Sequence, residues 1–233
     1  MTDFLSLEWP DPELFTARSG HPIRLLAVSD EPDPSLTSEA TREGLEPVDI
    51  VVGCGDLEPS NLGFLADAFA APLLYVRGNH DAGRGWQADR HLLPDPLRDG
   101  HIHEEVGLRL LPFSGSPRYA PHGRPDVEQQ VSGLDMWWRV LWAWPRGALH
   151  RPLVMVTHAA PRGLNDAADQ AHRGFASFRW LRNRLRPPLW LHGHTALVRR
   201  GISGRTVRHD GTLLVNVTGA MLIELTPPAP ARV

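Results

Sequence analysis

Five short apolar runs occur along this chain, and each of them ends directly in polar residues that can bind divalent metal ions. The runs and the residues that follow them are Leu25–Val28 with Ser29-Asp30, Ile50–Val52 with Gly53-Cys54-Gly55-Asp56, Leu73–Val76 with Arg77-Gly78-Asn79-His80-Asp81, Leu153–Val156 with Thr157-His158, and Leu189–Leu191 with His192-Gly193-His194. A run of this length that is bounded by a turn is typical of a strand buried on both faces. Because ligands of open α/β sheets bind beyond the carboxyl ends of the strands, we expect two Asp, one Asn and several His to meet at one rim. This mixture of oxygen and imidazole ligands suits Mn, Fe, Zn or Ni better than Ca or Mg alone.

The composition is that of a globular α/β domain. The chain has 233 residues, of which 42% are hydrophobic and 22% charged, and this length allows a well-buried core. Its formal net charge of −3 gives no general attraction to nucleic acid or to anionic membranes. The one cysteine, Cys54, excludes an intramolecular disulfide, and its place between two glycines indicates a small buried residue. No apolar run reaches transmembrane length and the first residues lack the features of a signal peptide, so we expect a cytoplasmic protein.

The distribution of the motifs predicts three parts of the chain. These are an N-terminal arm over residues 1–22, a domain over residues 23–226 and a loose tail over residues 227–233. The domain ends in two apolar stretches, Thr212–Val217 and Met221–Leu225, separated by Thr-Gly-Ala, which is typical of a closing hairpin.

Helical spacing of apolar residues predicts helices over Ser60–Ala70 and Phe175–Leu185, and each would lead into one of the five strands. Alternating patterns predict two further strands at His101–Glu105 and Leu108–Phe113. A third helix is predicted over Gln129–Trp144, and it crowds four tryptophans together. Tryptophans at this spacing favour a core or a subunit interface over a wall that stacks on substrate.

The order and wording of the five turns resemble the calcineurin-like metallophosphoesterase family in its bacterial type. That family carries Asp-x-His, then Gly-Asp, then Gly-Asn-His followed by Asp or Glu, then a lone His, then Gly-His-x-His. The matching blocks here are Gly55-Asp56, Gly78-Asn79-His80-Asp81, His158 and His192-Gly193-His194. The resemblance spans the chain from Asp30 to His194, and it implies a four-layer α/β/β/α sandwich with mixed sheets and a dinuclear metal site at one rim.

The resemblance also implies a role for each matched residue. The implied metal ligands are Asp30, Asp56, Asn79, His158, His192 and His194. Asp56 would bridge both metal ions, because a carboxylate has two oxygens to share. Asn79, His158 and His192 would complete one metal position, whereas Asp30 and His194 would complete the other.

Two further residues are candidates for catalysis by the same resemblance. His80 would face the substrate, stabilise the transition state and help to protonate the leaving oxygen. Asp81 would orient His80 or anchor the turn.

The first block departs from the family pattern, because Pro32 stands where the family has His. Proline cannot bind a metal through its side chain, so the first position lacks an imidazole. Asp33 is our preferred replacement, with Glu31 or water as alternatives. A carboxylate in place of an imidazole would shift that position toward Mn²⁺ or Mg²⁺. The competing role for Asp33 is to cap the segment that follows it.

Eight of the twelve histidines lie outside the matching blocks, and we interpret them as surface residues. His172 is the exception that we consider separately. It ends a polar loop-like stretch, Asn165–His172, that closely follows His158. This stretch is either a solvated loop, the interpretation that we prefer, or a segment that reaches over the site.

The implied activity is hydrolysis of a phosphate mono- or diester by two divalent metal ions and a hydroxide that bridges them, with Mn favoured among Mn, Fe, Zn and Ni. We expect a small phosphorylated substrate and neither a membrane nor a nucleic-acid partner, and the sequence leaves a homo-oligomer open. The rival interpretation is a non-catalytic protein-interaction module on the same fold with a degraded metal site. A third alternative is a single-metal or metal-storage protein without phosphoryl chemistry.

Overall fold

The strands of the protein form two mixed sheets that pack face to face. The computed structural model describes residues 2–119, 129–197 and 201–229. The first sheet has the strand order β1 (Asp3–Glu8), β13 (Gly219–Thr226), β2 (Ile23–Ser29), β3 (Ile50–Gly53) and β4 (Leu73–Tyr75). The second has the order β11 (Thr206–His209), β12 (Thr212–Asn216), β10 (Leu189–His192), β9 (Val154–Thr157), β6 (Leu108–Phe113) and β5 (His103–Glu105). A short parallel pair, β7 (Ser116–Pro117) and β8 (Gln130–Val131), lies outside both sheets.

Parallel pairing in each sheet brings strand ends to a common edge. In the first sheet β2, β3 and β4 pair in parallel, and in the second β6, β9, β10 and β12 do so. The strands β13 and β2, β11 and β12, and β5 and β6 pair in antiparallel fashion. All five strands predicted from the apolar runs are present, as are the two predicted at residues 101–113.

The helices of the described residues are α1 (Glu13–Thr16), α2 (Glu39–Leu45), α3 (Pro59–Phe69), α4 (Gly83–Asp89), α5 (Gly133–Leu149), α6 (Ala176–Leu185) and α7 (Ile202–Arg205), with 3-10 turns at Pro34–Thr37 and Arg90–Leu92. The three longest, α3, α5 and α6, cover the outer faces of the two sheets, whereas Phe15 of α1 packs in the layer between the sheets. The three predicted helices correspond to α3, α6 and α5, although α5 begins and ends several residues later than predicted. Within the described ranges, no helix has the length and apolar character needed to cross a membrane.

Alternate residues of a strand enter different core layers, because successive side chains point to opposite faces of a sheet. On β3, Ile50 and Val52 belong to the apolar layer between the sheets, whereas Val51 packs with α3 on the outer face. On β10, Leu191 belongs to the layer between the sheets, whereas Trp190 packs with α6. Three apolar layers therefore separate four layers of secondary structure, and the predicted α/β/β/α sandwich with mixed sheets is confirmed.

The predicted closing hairpin is wrong. β12 pairs with β10 and β11 in the second sheet, whereas β13 pairs with β1 and β2 in the first. The chain crosses from one sheet to the other at Val217 and Thr218, and each strand pairs with neighbours that are distant in sequence. The local pattern predicted both strands correctly, but pairing depends on tertiary packing.

The segment predicted as an N-terminal arm contributes a strand to the first sheet. β1 lies at its edge and pairs in parallel with β13, with Asp3 opposite Met221 and Leu7 opposite Leu225. Trp9 and Phe15, which follow β1, are buried in the layer between the sheets. The predicted domain boundaries stay a prediction, and most of the predicted tail lies outside the described residues.

We expect truncation of Phe178 to be strongly destabilising. Its ring is fully buried on α6 and contacts the rings of Phe113, Phe175 and Trp190 at centroid distances of 4.9 to 5.7 Å. Phe178→Ala should lower the free energy of unfolding in urea by about 3–5 kcal/mol, because it leaves a cavity under the second sheet. Phe64→Ala is the control, since Phe64 is 41% exposed on α3. A similar loss in both variants would contradict the proposed packing.

Candidate metal centre

The strand ends of the two sheets meet and are joined by backbone hydrogen bonds. Gly193 N donates to His158 O at 2.9 Å, which links the turns after β10 and β9. Asp30 N donates to Gly55 O at 3.1 Å, which links the turns after β2 and β3. The amide of His194 then donates to the Asp30 carboxylate at 3.0 Å and connects the two sheets. The rim expected from the sequence is therefore one continuous structure.

Three of the polar side chains project from backbone in the left-handed region. Asp30, Asp56 and His194 have φ values of 60°, 58° and 64°. This conformation turns each chain sharply at the strand end, and it is uncommon for residues other than glycine. Two glycines provide the room: a Cβ on Gly78 would lie 2.0 Å from the nearest carboxylate oxygen of Asp56, and one on Gly193 would lie 2.3 Å from that of Asp30.

At the centre of the rim, Asp56, His158 and His194 form a cluster that could hold a metal ion. One possible ligand atom from each residue lies within 4.8 Å of the others. His158 Nε2 is 3.2 Å from Asp56 Oδ2, and the rings of His158 and His194 have a centroid distance of 4.7 Å. Both imidazoles are buried.

Burial and charge act against each other on Asp56 and His158. Burial tends to raise the pKa of Asp56, but the neighbouring His158 outweighs it and lowers this pKa to about 2. Burial likewise tends to lower the pKa of His158, but Asp56 raises it to about 9. Each group thus stabilises the charged form of the other, and a metal ion bound at this point would replace a proton.

Asn79 lies beside this cluster and His80 lies at its edge. The Asn79 side chain is fully buried, with Oδ1 3.0 Å from His158 Nε2 and Nδ2 donating to the Tyr119 hydroxyl at 3.2 Å. His80 is exposed to solvent, and its backbone N–H donates to Asp56 Oδ1 at 2.7 Å. The turn thus places an amide oxygen next to the cluster and an imidazole at its open side.

His194 and His158 each use one ring nitrogen to contact a backbone carbonyl. His194 Nε2 is 2.7 Å from the carbonyl oxygen of Ala171, and His158 Nδ1 is 2.8 Å from that of Cys54. Because a carbonyl only accepts, these nitrogens carry protons and the other nitrogen of each ring is left for a metal. Burial lowers the pKa of His194 to about 3, which keeps its ring neutral.

His192 has a different environment, although it also is buried. Its Nδ1 is 3.0 Å from the Gly193 carbonyl oxygen, and its Nε2 accepts a hydrogen bond from Asn165 Nδ2 at 3.0 Å. Both ring nitrogens are therefore engaged within the protein. Burial lowers the pKa of His192 to about 4. Asn165 also donates to the Arg205 carbonyl at 2.9 Å, and no pattern in the sequence singles out this partner of His192.

The predicted division of the histidines between two metal positions differs from this arrangement. The prediction separated His158 from His194, whereas the structure brings their rings together next to Asp56. In an extended strand, His192 and His194 would point to the same face because they are two positions apart. Here β10 ends at His192 and the chain turns at Gly193, so the two side chains point in different directions. Counted from Gly193, the family pattern Gly-His-x-His falls on His194 and Ala196, so its last imidazole is an exposed alanine here.

The first block of the motif supplies oxygen ligands only. Asp30 accepts hydrogen bonds from the His194 amide at 3.0 Å and the Thr218 hydroxyl at 3.3 Å, and burial raises its pKa. Pro32 is exposed. The carboxylate of Asp33 accepts from the Ser35 amide at 2.9 Å and the Thr2 hydroxyl at 3.1 Å, and it caps the 3-10 turn at Pro34–Thr37. These contacts do not support our preference for Asp33 as a replacement ligand, because one carboxylate oxygen caps the turn and the other accepts from Thr2.

Asp81 makes the contacts of a turn anchor. Its Oδ2 accepts from the amide of Gly78 at 2.7 Å and from that of Asp56 at 3.0 Å. Burial, together with the nearby charge of Asp56, raises the pKa of Asp81 to about 6. Of the two predicted roles for Asp81, anchoring the turn is the one that these hydrogen bonds represent.

The loop Asn165–His172 lies against the centre, which was the less favoured of its two predicted placements. The Ala171 carbonyl contacts His194 Nε2, and the ring of His172 lies 5.3 Å from that of His194. Asp169 holds His172 through an Oδ1 to Nδ1 contact of 2.8 Å. This loop therefore forms one wall of the site.

The donor set fits a divalent transition metal. Buried neutral imidazole, an amide oxygen and a carboxylate are the ligand types of Mn, Fe, Zn and Ni sites. A position built from Asp56, Asn79, His158 and His194 contains all three types. A second position would contain the carboxylates of Asp56 and Asp30 but no imidazole, because Pro32 and Ala196 stand where the family pattern has histidines. The residues thus fit one metal ion fully and a second one through fewer ligands.

Comparison with known proteins agrees with this interpretation. A family model for calcineurin-like phosphoesterases matches residues 32–197. One solved structure, 14% identical, superimposes with a TM-score of 0.62 over 87% of this chain and 95% of its own. The crystal structure of TT1561 of Thermus thermophilus, 11% identical, gives a TM-score of 0.55 over 85% of this chain and 90% of its own. No match is found among curated proteins.

The family match and the buried cluster at the rim support a metal-dependent phosphoester hydrolase as the general class of this protein. The matched region covers well over half of the chain, and the protein belongs to the calcineurin-like phosphoesterase family. The structural neighbours establish the shared fold, since their identity to this chain is low.

Two substitutions at Asp33 distinguish capping from metal binding. Asp33→Ala removes the cap and should lower the free energy of unfolding by about 1 kcal/mol, whereas Asp33→Asn should retain most of it because asparagine also caps. Urea denaturation measures this difference. We expect the Mn²⁺ titration of both variants to match that of the parent protein, and loss of a Mn²⁺ binding step in Asp33→Asn would instead identify a ligand.

Proposed function

We propose that the protein hydrolyses phosphate mono- or diesters at a dinuclear metal site whose two positions differ in affinity. The observation that carries the proposal is the buried cluster of Asp56, His158 and His194 at the joined ends of the two sheets. When bound, the metal ions supply Lewis acidity, which neutralises phosphate oxygens and lowers the pKa of the attacking water. A cytoplasmic location stays part of this proposal.

The chain's own residues hold and shield this centre. The contacts of His158 with the Cys54 carbonyl and of His194 with the Ala171 carbonyl fix both rings before a metal binds. Burial keeps water away from the ligands, and the loop that carries His172 narrows the opening on one side. Such preorganisation supports catalysis, because the centre does not have to rearrange when the phosphate arrives.

His80 is the proposed general acid of the reaction. Its backbone is held against Asp56 while its side chain is exposed, so the ring can meet a phosphate ester that enters from solvent. There the imidazolium would donate a hydrogen bond to the phosphate and a proton to the leaving oxygen. Asp81 supports this placement indirectly through the backbone of the turn.

The two metal positions are proposed to differ because their ligands differ. Asp56, Asn79, His158 and His194 would bind the first ion tightly. Asp56 and Asp30 would bind the second more weakly through oxygen, which favours Mn²⁺ over softer ions. If His192 takes part, it must first release its hydrogen bond to Asn165.

A specific observation also favours the rival function, a protein-interaction module with a degraded metal site. Pro32 and Ala196 both occupy positions at which the family pattern has an imidazole. Measurement of turnover separates the two functions. A protein that binds Mn²⁺ but hydrolyses neither an aryl phosphate nor its bis-aryl diester would support the rival.

Restoring an imidazole should strengthen the weaker position. Calorimetric titration of metal-free protein with Mn²⁺ should show one tight and one weaker step, and Ala196→His should tighten the weaker step about tenfold or more, as expected for one added ligand. Ala148→His, at the far end of α5, is the control and should change neither step. His158→Ala should remove the tight step. If the parent protein shows a single Mn²⁺ binding step and Ala196→His does not change it, the proposal of two metal positions with different affinities is contradicted.

Loss of the His80 ring should separate metal binding from turnover. We expect His80→Ala to reduce turnover of an aryl phosphate by about 10²–10⁴-fold, the usual size of a general acid contribution, while bound Mn²⁺ stays unchanged. Metal analysis and steady-state kinetics on the same samples measure both. Asp56→Asn is the contrasting variant, because it should lose metal and activity together. Loss of metal in His80→Ala would show that His80 is a ligand or a structural support.

A further inference from the structure

The helix α5 exposes an apolar stripe on the face that points away from the second sheet. The stripe consists of Leu134, Trp138, Leu141, Trp142, Pro145 and Leu149, all of which are exposed to solvent. The opposite face of the helix is buried against the sheet and α6, and a Cβ on Gly147 would lie 2.8 Å from Leu185 Cδ1. The close packing of this inner face fixes the direction in which the stripe points.

The exposed area of this stripe is unusual for a face that remains in water. Trp138 is 73% exposed, and the exposed fractions of the four other large side chains range from 43% to 83%. If a whole side chain of this size presents about 200 Å², the stripe exposes roughly 600 Å² of apolar surface. That is at the upper limit for the largest patch of a monomer, at about 300–600 Å², and close to the roughly 800 Å² that each partner contributes to a standard interface.

The spacing of the stripe is the same when it is read in either direction. Successive members are separated by four, three, one, three and four residues. An antiparallel copy of the helix would therefore place Leu134 opposite Leu149, Trp138 opposite Pro145, and Leu141 opposite Trp142. A two-fold interface requires such self-complementarity, because the same patch must serve both partners.

Charges beside the stripe match the same arrangement. Asp135 and Arg146 are exposed and lie along one border of the stripe, at its beginning and near its end. An antiparallel copy brings Asp135 of one chain to within about two residues, or about 3 Å along the axis, of Arg146 of the other. In the single chain the Arg146 guanidinium lies 3.6 Å from the centroid of the Trp142 ring and donates to the Trp142 carbonyl at 2.7 Å, so its long side chain must turn toward the end of the helix to reach Asp135 of the second copy. The stripe itself carries no charge that would repel a second copy.

We propose that α5 is the interface for a second copy of this chain, packed antiparallel about a two-fold axis. Trp138 would be the main anchor of each partner, packed on Pro145 of the other copy, and the two Asp135–Arg146 pairs would set the register at the border. The proposal concerns association alone and does not depend on phosphoester hydrolysis.

Sedimentation of the full chain tests the proposal. We expect a reversible dimer for the unmodified protein. Trp138→Glu should raise the dissociation constant at least about 30-fold, the effect of losing an interface hot spot, because it places a charge in each of the two apolar Trp138–Pro145 contacts. Phe64→Glu introduces the same charge at an exposed aromatic on α3 and should leave the dimer intact. Trp138 is exposed, so circular dichroism should show an unchanged fold.

Exchange of the border charges tests the antiparallel register. Asp135→Arg and Arg146→Asp should each weaken the dimer by bringing like charges together, and the double variant should regain most of the lost affinity. A protein that stays monomeric at all accessible concentrations would overturn the proposal. This holds also if the monomer binds phospholipid vesicles through the stripe. A dimer that survives Trp138→Glu would overturn the interface, and a double variant weaker than both single variants would overturn the register.

Discussion

The close approach of two sheets whose strands are apolar on both faces is the constraint on which the structure depends. Side chains such as Ile50 and Val52 fill the layer between the sheets, while Val51 and Trp190 fill the layers under the helices. The buried strands β3, β9 and β10 carry no acidic or basic group between their ends, since burying an unpaired charge is costly, whereas Arg24 on β2 is paired with Glu224 on β13 at 2.8 Å. The groups that could bind a metal therefore follow the strand ends, and parallel pairing brings those ends to one rim.

Assembling these groups has a conformational and an electrostatic cost. Asp30, Asp56 and His194 adopt left-handed backbone conformations, each of which costs on the order of 1–3 kcal/mol for a residue other than glycine. The surrounding hydrogen bonds hold the turns in place, from Asp81 to Asp56 and from Asp30 to His194. Burial disfavours the charges of Asp56 and His158, and their mutual contact offsets that penalty in the absence of metal.

The two histidines of His192-Gly193-His194 show why a motif does not by itself define a site. Their chemistry is the same and they are separated by one residue, yet His194 lies beside His158 while His192 is held by Asn165. The turn at Gly193 decides this outcome. Asp33 is a similar case. It lies next to Pro32, where the family pattern has a histidine ligand, but its carboxylate accepts from the amide of Ser35 and caps a 3-10 turn.

The sequence by itself determined the five central strands, the three longer helices and the residues that the strand ends carry, because hydrophobic periodicity and turn chemistry are local properties of the chain. Only the tertiary structure decided that β12 and β13 enter different sheets, that Asp3–Glu8 forms an edge strand and that Ala171 contacts His194. It also decided that the tryptophans of α5 divide, with Trp137 and Trp144 against Trp180 and Trp138 in solvent. Strand partners, ring orientations and exposed faces depend on contacts between residues far apart in sequence, and the local pattern contains no record of those contacts.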